Sequence, residues 1–145
     1  MASIAKKFFI ASLIYFILGL IAQAVAVFDL WLGFNPLAYT AVIATEQILL
    51  IGWLSQLALA LIYDRWLTPA RLESQSAATL SPKSGLVVFV LFNVGLPLTI
   101  IGQPGLALFG GAWIGVLAAF GGLIQLFAGL VLLGQVWKLF VTKSY

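Results

Sequence analysis

A chain of 145 residues that is 63% hydrophobic and 8% charged has too little polar surface to fold with water as its main solvent, because soluble domains carry roughly half apolar and about a quarter charged residues. Its net charge of +3 comes from a few scattered Lys and Arg at the edges of apolar blocks, a pattern that speaks for membrane orientation and against nucleic acid. The absence of cysteine and histidine excludes disulfides, thiolate or imidazole metal sites, His-ligated haem and Ser-His or Cys-His nucleophiles, and leaves lipid, quinone or pigment as the classes of small molecule the chain could contact.

The predicted fold is all-α, an integral membrane four-helix bundle in a single membrane domain, with both termini cytoplasmic. The first span covers about 8–28, and roughly 20 residues at 1.5 Å each cross a hydrocarbon core about 30 Å thick. Lys6 and Lys7 give it a basic start like that of a signal peptide. Its length and the lack of a small-residue cleavage site at a polar flank predict a retained helix instead. Asp29 closes the span, and Gly33, Asn35 and Pro36 predict a turn. The second span covers about 40–63, with Asp64, Arg65 and Trp66 marking its interface. A polar loop over 68–84 follows, with Arg71, Glu73, several serines and Lys83. The third span covers about 85–102; Pro97 removes a backbone donor and predicts a kink after Asn93. Gln103, Pro104 and Gly105 read as a very short connection. The fourth span covers about 110–137 within a longer apolar stretch that starts at Leu106, with Lys138 and Lys143 at its end.

Orientation follows from the basic residues, which are retained preferentially in the cytoplasm. With four spans, Lys6, Lys7, Arg65, Arg71, Lys83, Lys138 and Lys143 all fall on one side. Three spans would scatter them. Trp31, Trp66, Trp113 and Trp137 lie near predicted interfaces as bilayer anchors, whereas Trp53 lies inside a span. Gly52 to Leu57 and Gly121 to Leu126 echo each other at a level that chance explains in a chain rich in Leu and Gly.

Few residues carry chemistry. Glu46 is the only ionisable residue well inside a span, and a carboxylate there needs a proton, a partner or water. At helical spacing it shares a face with Leu49, Leu50 and Trp53, with Gln56 at the edge, which predicts a partly polar seam pointing into the bundle. Glu46 and Gln47 are therefore candidates for holding a proton or ligand. The plainer alternative is a protonated Glu46 near the outer interface, bonded to Thr45, Gln47 or Tyr39. Gln56, Asn93 and Gln125 are neutral polar residues within spans, which commonly hydrogen-bond between helices for roughly 0.6–2 kcal/mol each; substrate contact is the other use. Gly111, Gly115, Ala118 and Gly122 form a small-residue ridge that predicts close helix packing, within the chain or with another subunit.

The segment from Tyr39 to Trp53, with Thr45-Glu46-Gln47, then Gly52-Trp53 and Gln56, resembles the second transmembrane helix of the catalytic subunit of haem-copper oxidases. The resemblance extends to the order of parts over nearly the whole chain, which corresponds to the first four of about twelve helices in that family. Its motif is weakly specific. The family carries a haem-ligating histidine where this chain has Glu46, and the helices that hold the copper and second haem have no counterpart. The resemblance implies a truncated relative kept as a scaffold.

These readings lead to the expectation of a non-catalytic accessory or scaffold subunit of a larger respiratory or photosynthetic complex. Its partners are membrane lipids and other transmembrane subunits, in a prokaryotic inner or energy-transducing membrane. The alternative is a small oligomeric transporter or proton-conducting protein using Glu46. A membrane enzyme acting on a lipid-soluble substrate ranks third.

Overall fold

The computed structural model describes residues 2–33, 38–67 and 82–141. Four long helices and no strand make up these residues. Helix α1 is Ser3–Leu32. Helix α2 consists of three consecutive segments, Ala38–Gln47, a π-helical Ile48–Ser55, and Gln56–Leu67. Helix α3 is Pro82–Phe109 and helix α4 is Ala112–Val141. Each contains a stretch long and apolar enough to cross a membrane. The polar stretch over 68–81, the Asn35-Pro36 turn and Lys143 lie outside the described residues.

Successive helices run antiparallel, so Lys6, Lys7, Arg65, Lys83 and Lys138 gather at one end of the bundle. The amide of Ala2, at the N-terminus of α1, donates to Asp64 Oδ1 near the end of α2 at 3.1 Å. Helix α1 has no side-chain cap of its own, so Asp64 supplies both an acceptor for an orphan N–H and negative charge at the positive end of the helix. Above this contact lies the main apolar core, built from Ile4, Ala5 and Phe8, Leu59, Ala60 and Tyr63, and Val88. Phe8 stacks on Tyr63 at 5.4 Å between ring centres and meets Phe89 edge-on at 5.2 Å. Gly85 lets α3 approach that stack, since a Cβ there would meet Tyr63 at 2.8 Å.

Several boundaries differ from the expected ones: α1 runs on through Asp29 to Leu32 and is closed by Gly33, and α3 begins at Pro82, inside the stretch 68–84 expected as loop. Helix α3 does not stop near residue 102: Gln103, Pro104 and Gly105 are helical, with Pro97 and Pro104 both inside α3. The connection is instead Gly110-Gly111, at φ 64° and 101°. Two successive left-handed residues reverse the chain as no L side chain does readily, and the Gly110 N–H closes the helix on Leu106 O at 3.0 Å. The apolar stretch that starts at Leu106 is therefore shared between two helices, and the fourth span begins at Ala112.

The π-segment decides which residues of α2 face inward. An α-helix turns about 100° per residue, so Gln47 and Gln56, nine positions apart, would lie on opposite sides. An i→i+5 ladder turns only roughly 82° per residue, and over eight residues the lag of about 140° returns both to nearly one side. The buried positions Ala44, Ile48, Gly52, Gln56 and Ala60 accordingly recur every fourth residue as a straight seam. In an uninterrupted α-helix the same spacing would drift about 40° at each step.

Candidate functional site

Four pairs of neutral polar groups join the helices. At mid-height, Gln56 of α2 and Asn93 of α3 form a reciprocal amide pair, each N–H donating to the other carbonyl at 3.3 Å. Asn93 Nδ2 also donates to Phe89 O at 2.8 Å. Between α3 and α4, Gln125 Nε2 donates to Thr99 Oγ1 at 2.8 Å, and Thr99 donates to Leu96 O at 2.8 Å. Toward the basic end, the Tyr63 hydroxyl donates to Gln135 Oε1 at 2.9 Å, tying α2 to α4. Toward the opposite end, Gln47 Nε2 donates to Gln103 Oε1 at 2.7 Å. A buried amide without a partner is strongly disfavoured in an apolar medium, so the first three pairs are stable inside the bundle because they meet each other, whereas Gln103 of the fourth is exposed. Among the described residues two atoms are left over, Gln47 Oε1 and Gln135 Nε2, both buried and without a hydrogen bond.

Of the candidates for holding a proton or ligand, Gln56 and Asn93 thus occupy each other, and Gln47 is engaged with Gln103. Glu46 is placed elsewhere. The expected inward seam of Glu46, Leu49, Leu50 and Trp53 is not formed: Glu46 and Leu50 are exposed, while Ala44, Thr45 and Ile48 are buried. The misplacement has a physical cause, because Leu49 and Leu50 are as stable against lipid as against protein, and an apolar seam therefore does not say which way it faces. Trp53 lies half-buried against Phe16 of α1, at 4.7 Å between ring centres. Among the described residues, no three or more of Asp, Glu, His and Cys come together as a metal site would require. Tyr39 and Trp66 carry expectations that rest on side chains outside those described.

The small-residue ridge is also displaced. Gly111 sits in the turn, Gly122 faces open space, and Gly115 would bring a Cβ only into ordinary contact with Leu106, at 3.6 Å. Ala118 alone of the four makes the close approach: a Cβ on Gly102 would meet its backbone N at 2.6 Å. The other close contact is Gly95 with Gly121, where a Cβ on Gly121 would meet Gly95 O at 2.7 Å and Thr99 N at 2.8 Å. The signal for Gly121 was present in the Gly121-Gly122 pair, but adjacent glycines define two stripes about 100° apart, and the helix uses the other one.

Comparison with known proteins adds no relative: no family model, no curated protein and no solved structure matches the chain.

Proposed function

We propose that this chain is a non-catalytic integral subunit that contributes helix packing to a larger membrane complex, with its basic end, and hence both termini, on the cytoplasmic side. The observation that carries the reading is the mutual pairing of interior polar groups. Gln56 with Asn93, Thr99 with Gln125, and Tyr63 with Gln135 satisfy one another as structural contacts do, and no Asp, Glu, Lys or Arg is a member of these pairs. The outer side of α4 supports it further: Phe120, Leu123, Phe127 and Leu130 are exposed, a face suited to lipid or to helices of neighbouring subunits. A respiratory or photosynthetic setting rests on the resemblance of the Tyr39–Trp53 segment alone.

A small oligomeric transporter or proton-conducting protein is the second reading, and one observation favours it. Glu46 lies on the exterior, where only an oligomer could enclose it in a polar path. Purification of the tagged chain from native membranes in mild detergent separates the two, with co-migrating chains identified and an absorption spectrum recorded. The accessory role requires a stoichiometric set of other membrane subunits. A homo-oligomer that moves protons or solute in proteoliposomes, and loses that activity in Glu46→Gln at normal abundance, would replace it.

A further inference from the structure

In the described spans, the Asn, Gln, Ser, Thr, Asp and Glu side chains whose burial is described are buried or half-buried except for Ser3, at the very start of α1, and three positions well inside the helices: Gln23, Glu46 and Gln103. These three lie on different helices and yet share one level. Helices α1 and α2 are in register where Gly19 takes the Leu49 side chain and Gly52 takes Tyr15; one turn further out, this antiparallel pairing brings Gln23 level with the residues around Glu46. Gln47, next to Glu46, bonds to Gln103. The three therefore form a belt around α1, α2 and α3, and α4 adds no polar residue to it.

The belt lies within the apolar slab, not at its edge. From Lys7 to Gln23 is about 24 Å along α1, short of a hydrocarbon core of about 30 Å. Beyond the belt the chain stays apolar through Ala24 to Phe28 on α1 and Leu106 to Phe109 on α3. The strongly exposed aromatics Trp31, Phe109 and Trp113 mark the outer interface past it. Neither Gln23 nor Glu46 makes a hydrogen bond among the described residues, and the exposed Gln103 accepts from Gln47 without donating from its side chain to a described residue. Facing hydrocarbon, such groups are strongly disfavoured.

We propose that this belt is a contact between two parallel copies of the chain, in which Glu46 of one protomer accepts hydrogen bonds from the side-chain amides of Gln23 or Gln103 of its partner. The complementarity is internal to the belt: Glu46 supplies acceptor oxygens, and Gln23 and Gln103 supply donors. Parallel copies in a bilayer hold the same residues at the same depth without further adjustment, and a two-fold axis makes each such contact twice. The contact leaves the outer face of α4 free for other subunits, so it holds whether or not the chain belongs to a larger complex.

The chain has no native cysteine, which gives a clean background for cross-linking. Q23C and E46C, carrying different tags, would be co-expressed and oxidised in the membrane, with L123C on the exposed face of α4 as the control partner for each. The mass of the wild-type protein in mild detergent would be measured in parallel. A dimeric mass, and a disulfide between the Q23C and E46C chains at least five times more abundant than either with L123C, is the expected result. The variant combining Q23L with E46L should then run as a folded monomer. A monomeric wild type, or equal cross-linking to L123C, overturns the proposal. A complex containing one copy of this chain with foreign subunits overturns it too, while leaving the accessory role intact.

Discussion

The two hairpins of this molecule are held together differently. Between α1 and α2, glycines are sockets for side chains: Gly19 takes Leu49, and Gly52 takes Tyr15. Between α3 and α4, backbone meets backbone, with Gly95 against Gly121 and Gly102 against Ala118. The contact at Gly19 can yield, because a leucine can change rotamer, whereas at Gly52 an added Cβ would meet Tyr15 Cβ at 2.9 Å. The backbone contacts between α3 and α4 cannot yield without moving a helix. In a membrane, where apolar side chains gain little by leaving lipid, close backbone approach and the hydrogen bonds it permits supply most of the association energy.

Substitutions that enlarge these glycines should break the comparison if it is wrong. Gly121→Leu should separate α3 from α4 and remove the Thr99–Gln125 bond with it, lowering stability by roughly 3 kcal/mol or more. Gly19→Ala asks the Leu49 side chain to turn away and Ile48 to give slightly, and should lower stability by about 1 kcal/mol. Unfolding midpoints in mixed micelles measure both. Equal losses would remove the distinction between the hairpins.

A second test concerns the π-segment. Eight residues at roughly 82° per residue wind about as far as seven in an α-helix. Deleting Leu54 should therefore convert Ile48–Ser55 to ordinary α-helix, keep both Gln47 and Gln56 facing α3, and leave the protein folded at near-normal abundance. Deleting Leu61, outside the segment, should turn Tyr63 out of the core and reduce abundance several-fold. Equal damage from the two deletions would mean that the segment does not set the register.

Smaller effects sharpen the picture. Tyr63→Phe keeps the stack on Phe8 but leaves Gln135 Oε1 without its donor, and should lower the unfolding free energy by about 1 kcal/mol. Gly122→Leu enters open space and should change monomer stability by less than about 0.5 kcal/mol. A larger loss at Gly122, measured on the isolated chain, would show that the outer face of α4 is packed within the molecule.

Much of the fold is legible in the sequence, because the long apolar stretches and the basic residues between them mark out the four helices. Lys6, Arg65, Lys83 and Lys138 mark helix ends that the structure places together. What the sequence hides are matters of phase. Reading α2 at 100° per residue puts Gln47 opposite Gln56; the π-segment undoes that, and nothing in Ile48–Ser55 announces it except Gly52, while Glu46 turns outward because the Leu49 and Leu50 beside it do not say which way their face points. Pro104 looks like a stop yet sits inside α3, as prolines do in bundled helices where neighbouring groups and local adjustments re-satisfy the backbone group that the proline frees. Gln56 and Asn93 are recognisable as candidates for interhelical bonding, but their partners are set by packing and cannot be read from spacing. The belt of Gln23, Glu46 and Gln103 is legible only once the helices are in register.

The account rests on the interior polar groups serving to join helices, and a double-mutant cycle on the mid-bundle amide pair tests that most directly. Gln56→Leu and Asn93→Leu should each lower stability by about 1–2 kcal/mol, since each leaves a buried amide without its partner. The double variant should recover most of that loss, because removing both partners leaves no orphan. It should also assemble with its complex as the wild type does. A double variant that folds and assembles normally but abolishes a transport or electron-transfer activity would contradict the account and make Gln56 and Asn93 parts of a working site.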